Sequence, residues 1–318
     1  MTMLLNQKII KIRGESLKDN FLGDPVERDV LVFYPDKIVE NSPLLIELAG
    51  LNGTPKLNNR FSQILNSLSR KNLLGNSIII NPNFSTKYHV NQYLNSPAVG
   101  NYEDFIINDL IPQVSEIYNT GNIGLFGKSS GGFGAYSLAV RNPHIIKGFA
   151  DHFGDSCFEY VYIPDIPIAF KELKNKSINK YVDELSKKET LIDNEIKTLN
   201  ILGMSAFYSY NYNSEMNFDF PFDRETGAFK KEVWEKWLKF DPSKNAASNT
   251  GRLKKLKAIY LDVGIKDEYS LYVGMNVLHK IMEKNNINHI FEQFNGGHFG
   301  NSKRYEKSLP YLVNNLTE

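Results

Sequence analysis

The chain has 318 residues, of which 42% are hydrophobic and 23% charged, and this composition excludes a disordered or fibrous protein. The 37 basic and 36 acidic side chains leave a formal net charge of +1, which gives no electrostatic reason to expect a nucleic acid as partner. The single cysteine, Cys157, excludes an internal disulfide and cannot supply a structural zinc site alone.

Short apolar segments predict strands along the chain. Several are apolar on both faces, which is typical of strands buried between layers of helices. The first two, residues 8–12 and 29–33, are placed to pair as a hairpin. The other predicted strands are residues 44–48, 77–81, 123–126, 145–150, 258–263 and 290–294.

Segments with helical spacing of apolar residues separate these strands. In one of them Glu103 and Asp104 occupy the first turn, where the helix dipole favours acids, and Pro112 predicts a kink or an early end. The predicted helices are residues 55–70, 103–118, 132–141, 268–284 and 303–314. Alternating strands and helices predict an α/β fold with a mostly parallel sheet that helices cover on both faces.

Residues 158–249 break this alternation. Charged helical patterns near residues 168–185 and 190–202 are followed by an aromatic-rich run and by a third helical pattern at 230–240. We therefore expect a mainly helical cap, inserted into an α/β core that residues 1–157 and 250–318 form.

The N-terminus and the hydropathy of the chain bear on its location. The first ten residues lack a long apolar stretch and a small-residue cleavage site, so no signal peptide is predicted. No apolar run approaches the ~18 to 20 residues that a bilayer span requires. We expect a cytoplasmic protein with no membrane partner.

One strand–helix junction carries the strongest chemical signal. The segment Gly127-Lys128-Ser129-Ser130-Gly131 matches G-x-S-x-G, with an apolar strand before it and a small-residue helical pattern after it. This context is typical of a nucleophile elbow, in which the two glycines allow strand and helix to approach closely. The segment predicts Ser129 as a nucleophile. The alternative is a glycine-rich connection with a helix-capping serine.

A phosphate-binding loop is an alternative from another class of protein. The two phosphate-binding signatures of a P-loop NTPase have partial matches in this chain. One is Gly127-Lys128-Ser129 after a strand, and the other is Asp262 in a later apolar run. The full pattern requires a glycine where this chain has Asn122. Residues 123–126 also have a strand pattern where the phosphate cradle should be a loop. Both observations disfavour nucleotide binding.

A serine nucleophile requires a base, and the base requires an orienting acid, in the chain order Ser, Asp or Glu, His. His298 fits as the base, because it lies in a glycine-rich loop between the last predicted strand and helix. Asp267 fits as the acid, because Asp262 falls within a strand and Glu268 starts the next helix. His152 ends a strand near the presumed site and is predicted to line the pocket.

Acyl chemistry also requires donors for the developing oxyanion. One is expected to be the backbone N–H of Ser130, the residue after the nucleophile. The second is expected in the glycine-containing loop after strand 44–48, where Leu51 is preferred and Asn52 is the near competitor. A plain glycine turn leading into a helix accounts for the glycines of this loop equally well.

Aromatic residues are concentrated in one stretch of the insertion. They either line an apolar acyl or aryl pocket or pack the insertion onto the core, and the sequence favours neither. The side chains considered for the pocket are Asn52, Lys128, His152, Asp155, Phe207, Tyr208, Tyr210 and Phe218.

These motifs, in register and order, resemble the putative esterase family of the α/β-hydrolase superfamily, which includes esterase D and enterochelin-esterase-like proteins. The resemblance spans most of the chain except the insertion. It rests on residues 48–54 (LAGLNGT), 101–106 (NYEDFI) ahead of 110–112 (LIP), 127–134 (GKSSGGFG), 152–155 (HFGD), 262–268 (DVGIKDE) and 296–300 (GGHFG).

The resemblance implies an α/β-hydrolase fold with Ser129 as nucleophile, His298 as general base and acid, and Asp267 as its partner. Many α/β-hydrolases carry His-Gly before the oxyanion residue, whereas this chain has Ala49-Gly50. That departure changes the loop packing but leaves the backbone donor available.

Together these observations predict a serine carboxylesterase that hydrolyses small acyl or aryl esters with no cofactor and no metal. Its expected partner is a small-molecule ester, and a homo-oligomer is left open. Two alternatives stay open as well. The same triad serves thioester hydrolysis or acyl transfer, and the chain could be a catalytically silent binding protein on a hydrolase scaffold.

Overall fold

A computed structural model describes residues 5–50, 53–57 and 59–317, and all structural statements refer to them. Eight strands form one sheet, in the order β1-β2-β4-β3-β5-β6-β7-β8. All eight predicted strands are confirmed. Their bounds are β1 Asn6–Arg13, β2 Glu27–Tyr34, β3 Ser42–Leu48, β4 Ile78–Pro82, β5 Thr120–Lys128, β6 Ile146–His152, β7 Ala258–Gly264 and β8 Ile290–Phe294. A separate two-stranded pairing joins Asn95–Ser96 to Gly100–Asn101.

The sheet is antiparallel at one edge and parallel elsewhere. β1 and β2 form the predicted hairpin, with Lys8 opposite Val32, and β2 is antiparallel to β4. From β4 onward each neighbouring pair of strands is parallel. Because β5 is strand through Lys128, the phosphate-binding loop considered from the sequence is absent from this segment, and that alternative is wrong.

Helices connect the strands. The segment α2 consists of three consecutive sections, Tyr102–Asp104, the π-helical Phe105–Leu110 and Ile111–Tyr118. The others are α1 Arg60–Arg70, α3 Ser130–Arg141, α4 Phe158–Val161, α5 Ile166–Leu173, α6 Ile178–Leu185, α7 Asp193–Tyr208, α8 Lys231–Leu238, α9 Pro242–Asn245, α10 Thr250–Leu253, α11 Leu271–Lys284 and α12 Tyr305–Leu316. Three 3-10 turns are Glu15–Leu17, Ile163–Asp165 and Ser302–Arg304. None of the helices in the described ranges combines the length and apolarity that a bilayer crossing needs.

Several predicted helix bounds differ from the structure for local reasons. α1 begins at Arg60 rather than at residue 55, because the Asn59 side chain caps it by accepting the N–H of Ser62. α11 begins after Ser270, which has a φ of 61° that a helix cannot contain. The single helical pattern of residues 168–185 is two helices, separated near Asn175, which has a φ of 60°.

Pro112 does not end its helix. The irregularity predicted there takes the form of the π-helical section, which lies immediately before the final section of α2. Pro112 is the second residue of that final section, where a missing backbone N–H costs little.

Apolar side chains fill both faces of the sheet. Along β3, Leu44 and Ile46 belong to one buried cluster, whereas Leu45 belongs to the other, as the two-residue period of a strand requires. The cluster around Leu45 includes residues of α1 and α12. The cluster around Leu44 includes residues of α2, α3, α11 and the insertion. The prediction of a layered α/β fold is therefore confirmed.

The insertion adds helices and no strand to the sheet. Its described backbone includes two isolated bridges, Tyr210 to Phe218 and Phe222 to Phe229. Its buried side chains, such as Tyr208 and Trp237, are continuous with the apolar cluster on one face of the sheet. The division into a core and a cap at residues 158–249 stays a prediction.

We predict that Gly131→Ala destabilises the fold, because a Cβ at this position would lie 1.9 Å from the Leu48 carbonyl oxygen. Overpacking of this kind costs about 1–3 kcal/mol or more. Urea denaturation measures the loss in the free energy of unfolding. Gly251→Ala in α10 is the matched control, because a Cβ there meets no atom of the described chain within 4 Å. Equal effects of the two substitutions would contradict the prediction.

Candidate active site

Ser129 occupies the turn between β5 and α3 in a strained backbone conformation. Its φ of 55° and ψ of −127° are uncommon for a residue with a side chain. Its N–H donates to the carbonyl oxygen of His152 at 3.0 Å, and its own carbonyl accepts the N–H of Phe133 at 3.0 Å. Hydrogen bonds on both sides therefore hold the turn that the G-x-S-x-G pattern predicts.

The carboxyl ends of the parallel strands bring the predicted site residues to one edge of the sheet. Ser129 follows β5, His152 ends β6, Asp267 follows β7 and His298 follows β8. Ligands of α/β sheets bind in the crevice at this edge. The strand order therefore explains why the segments that contain Ser129, Asp267 and His298, which are distant in sequence, lie at the same edge of the sheet.

His298 is paired with Asp267. Nδ1 of the imidazole lies 2.9 Å from Oδ2 of the carboxylate, and the Asp267 side chain is fully buried. The other oxygen, Oδ1, accepts the backbone N–H of Tyr269 at 3.0 Å and that of Leu271 at 3.3 Å. Because an ionised carboxylate only accepts hydrogen bonds, this contact favours the His298 tautomer with the proton on Nδ1, which leaves Nε2 as the acceptor.

Aromatic rings and one further carboxylate hold the His298 loop. The imidazole centroid is 4.7 Å from the ring of Tyr269 and 5.1 Å from that of Phe153, both in edge-on contact. The His298 backbone N–H donates to Oε2 of Glu268 at 2.5 Å. Glu268 was expected to start a helix, but it lies in the loop before α11 and fixes the backbone of the candidate base.

Ser129 and His298 line one cavity of about 410 Å³. Ser130, which was predicted to donate its N–H to the oxyanion, lines it too. Ser130 is the first residue of α3, and the first N–H groups of a helix have no acceptor within it. The candidates for the second oxyanion donor, Leu51 and Asn52, lie outside the described residues. Asn52 was also predicted to line the pocket.

Lys128 lines the cavity, as predicted. Its Nζ donates to Oγ of Ser302 at 2.9 Å and lies 4.4 Å from the ring centroid of Tyr305. Burial lowers the pKa of the Lys128 ammonium, while the nearby Glu47 carboxylate acts in the opposite direction. The lysine is therefore anchored beside the nucleophile by contacts with the segment that follows the His298 loop.

Asp155 also lines the cavity and connects it to Ser130. Its Oδ2 accepts the Tyr162 hydroxyl at 2.8 Å and Nε2 of Gln92 at 3.4 Å, and the same amide donates to Oγ of Ser130 at 3.1 Å. Burial raises the pKa of the Asp155 carboxyl. Sequence reasoning did not identify Gln92, because it lies in a loop far from any motif.

The predicted role of His152 in the pocket is wrong. Its side chain is fully buried, with Nδ1 2.8 Å from Oδ1 of Asp262 and Nε2 2.8 Å from Oγ of Ser308. Arg304 binds the other oxygen of Asp262 at 2.7 Å. Burial opposes ionisation of Asp262, but His152 and Arg304 together lower the pKa of this carboxyl. These four side chains belong to a polar network behind the elbow, which Tyr260 and Glu292 extend through Arg304.

This network contains a buried serine–histidine–aspartate arrangement. Ser308, His152 and Asp262 are each fully buried, so none of them can meet a substrate. The His298–Asp267 pair differs because its imidazole borders the cavity and 11% of that side chain is exposed.

The predicted aromatic lining from the insertion is also wrong. Tyr208 is buried and stacks between Phe158 and Phe240, at centroid distances of 5.5 and 4.8 Å. Phe207 and Phe218 are buried as well, and Tyr210 is 40% exposed. None of these four is among the described residues that border the cavity. Phe207, Tyr208 and Phe218 instead pack within the apolar core, which is the other interpretation that the sequence allowed.

The insertion contributes other residues to the cavity. Ile196, Asn200 and Met204 of α7 line it at intervals of four residues, which places them on one face of the helix. Phe207 and Tyr208 belong to the last turn of α7 and face the core. Val161, Tyr162 and Asp165 complete the part of the lining that comes from the insertion. Helical spacing along α7 was the signal that could have identified its three cavity residues.

Comparison with known proteins places the chain in a family. The family model described as Putative esterase matches residues 25–310. No protein of curated function matches the chain by sequence.

Within the part of the chain that the structure describes, no group of three or more His, Cys, Asp or Glu side chains is placed to hold a metal ion.

Solved structures share the fold over almost the whole chain at low sequence identity. A ferulic acid esterase has a TM-score of 0.61 at 16% identity, with coverage of 98% of this chain and 99% of that chain. An S-formylglutathione hydrolase from Agrobacterium tumefaciens has a TM-score of 0.60 at 14% identity, with coverage of 99% of this chain and 100% of that chain. A fluorophosphonate-binding serine hydrolase of Staphylococcus aureus has a TM-score of 0.58 at 14% identity, with coverage of 99% of each chain.

These neighbours have the α/β-hydrolase fold, which confirms the fold class predicted from the sequence. The family model covers most of the chain, from before β2 into α12. The chain therefore belongs to the putative esterase family.

Proposed function

We propose that the chain is a carboxylesterase in which Ser129, His298 and Asp267 form the catalytic triad. One observation carries the proposal. His298 is held at 2.9 Å from a buried carboxylate, and its imidazole borders the same cavity as the strained Ser129 turn. The pair supplies a base of fixed tautomer, and the turn supplies a hydroxyl at the edge of the sheet, which are the parts that acyl transfer to serine requires.

The reaction follows from these roles. Oγ of Ser129 attacks the ester carbonyl carbon while Nε2 of His298 takes its proton. Asp267 stabilises the imidazolium that forms and keeps the ring oriented. The ester alcohol then leaves with the proton from His298, and an acyl group remains on Ser129. Water hydrolyses this acyl-enzyme with the same groups in the reverse order.

The oxyanion that forms in both steps needs backbone donors. Ser130 N–H is one, and its side chain is fixed by Gln92 through the 3.1 Å hydrogen bond to Oγ. The second is proposed from the loop after β3, at Leu51 or Asn52. Loss of one such donor typically reduces turnover by ~10²- to 10³-fold.

The cavity supports small acyl or aryl esters as substrates. Its volume of about 410 Å³ is within the usual range for small-molecule sites. Much of its lining is apolar, with Phe153 and Leu271 from the core and Ile196 and Met204 from α7. An ester with a short alkyl chain or a single ring fits a cavity of this size and character.

We predict that Ser129→Ala lowers kcat for p-nitrophenyl acetate by at least ~10³-fold, because the nucleophile is lost. Release of p-nitrophenol measures the rate. A fluorophosphonate probe should add mass to the peptide that contains Ser129 in the wild-type protein and leave the Ser129→Ala protein unlabelled.

Ser308→Ala is the matched control, because the chain has a second serine bonded to a histidine–aspartate pair. This variant loses a buried hydrogen bond and should be less stable by about 1–3 kcal/mol. Its folded fraction should keep wild-type kcat and probe labelling. Loss of turnover in folded Ser308→Ala protein, or wild-type turnover by Ser129→Ala, would exclude the proposed triad.

We also predict that Asp267→Asn lowers kcat by ~10³- to 10⁴-fold, because the amide favours the wrong tautomer of His298. Glu268→Gln is the neighbouring control. Among the described groups its side chain forms a hydrogen bond to the His298 backbone N–H, and an amide oxygen can still accept that bond. Steady-state kinetics on the same ester compare the two. A loss in Glu268→Gln as large as that in Asp267→Asn would contradict the assignment of the acid.

A further inference from the structure

One carboxylate on the cavity wall has no hydrogen-bond donor. Asp165 is 6% exposed and borders the cavity that contains Ser129. Among the described residues, no side-chain or backbone donor contacts either oxygen. The residue precedes α5, where an aspartate commonly accepts a backbone N–H of the first turn. Asp165 makes no such bond, and Pro167, the second residue of α5, has no N–H to offer.

The lysine that acts electrostatically on Asp165 is paired with another carboxylate. Lys197 of α7 forms an ion pair with Asp193 at 2.7 Å, and it acts on Asp165 only at longer range. Burial raises the pKa of the Asp165 carboxyl to about 6, so the group is mostly ionised at pH 7. The Asp165 oxygens are not sealed from the cavity, so a ligand in the cavity can supply the hydrogen-bond donor that the described protein groups do not.

A second polar side chain borders the cavity. Asn200 of α7 is half-buried, and its carboxamide has no hydrogen-bond partner within the described part of the chain. Ile196 and Met204, one turn before and after Asn200, are apolar. The insertion therefore presents two unsatisfied polar groups within an otherwise apolar wall.

Tyr269 connects this polar region to the catalytic end of the cavity. Its ring packs edge-on against His298 at 4.7 Å. Burial, together with the Asp193 and Asp165 carboxylates, raises the pKa of its hydroxyl to about 12. The same aromatic side chain is thus close to the candidate base and within the electrostatic reach of Asp165.

We propose that Asp165, assisted by Asn200, binds a hydrogen-bond donor on the substrate, so that the preferred esters carry a hydroxyl or ammonium group on an apolar arm. The inference rests on the proposed esterase function, because Asp165 acts in the cavity of Ser129. Asp165 is a specificity residue in this proposal and takes no part in bond making or breaking.

The test compares esters that differ only in the donor. One series consists of methyl 3-phenylpropanoates with a para hydroxyl, aminomethyl or methoxy group, which places the donor on the acyl side. The other consists of 2-phenylethyl acetates with the same three groups, which places it on the alcohol side. The ratio of kcat/KM for each donor ester to that for the methoxy ester is measured for wild type, Asp165→Leu and Asp183→Leu.

In at least one series, wild type should prefer the hydroxyl or aminomethyl ester by about 10-fold or more, as expected for a hydrogen bond to a charged group. Asp165→Leu should reduce that ratio to near 1. Asp183 of α6 is the matched control, because its side chain is 59% exposed and lies outside the cavity lining. Its replacement should leave the ratio unchanged.

Two results would overturn the inference. Wild type could hydrolyse the methoxy esters with no preference for a donor in either series, or Asp165→Leu could keep the wild-type ratio. In both cases ester hydrolysis that depends on Ser129 persists, so the proposed function stands while the substrate class fails. If Ser129→Ala matches wild type on every ester, the proposed function itself fails, and the inference fails with it.

Discussion

The register between β5 and β6 is the constraint on which the site depends. Lys128 is the last residue of β5 and pairs with His152, and the N–H of Ser129 continues the ladder by donating to the His152 carbonyl. The next residue, Ser130, already begins a helix whose first carbonyl partner belongs to Ser129. Ser129 is thus the single residue between the strand hydrogen bonds and the first helical hydrogen bond. The chain turns sharply at this residue, which has a positive φ of 55°.

Packing behind the elbow keeps that register fixed. The His152 side chain is bonded on one side to Asp262 of β7 and on the other to Ser308 of α12. Arg304 adds a charged hydrogen bond to Asp262. Such buried polar groups stabilise a single arrangement when every member has a partner. Here the arrangement fixes the strand whose carbonyl accepts the N–H of Ser129.

Much of this architecture is visible in the sequence because the signals are local. The eight strands follow from apolar runs, and Ser129, Asp267 and His298 each lie in a short motif after a strand. Helix starts are less accessible, because they depend on single residues such as Ser270, whose left-handed conformation delays α11. The catalytic assignment of the three motif residues stays a prediction.

The cavity lining could not be predicted in the same way, because it depends on contacts between distant segments. Gln92 reaches Asp155 and Ser130 from a loop that has no motif. Aromatic content pointed to Phe207 and Tyr208, yet large apolar side chains gain most from full burial, and these two are inside the core. The wall instead comes from a helix face that composition does not reveal.

That helix face gives the molecule a simple means of setting how far a substrate can extend. Ile196, Asn200 and Met204 are four residues apart, and a rise of 1.5 Å per residue spaces them about 6 Å along the axis of α7. Each position thus borders a different part of the cavity. Exchanging one of the three side chains for a bulkier or smaller one changes the space available at that position, while the residues at the strand ends are left untouched.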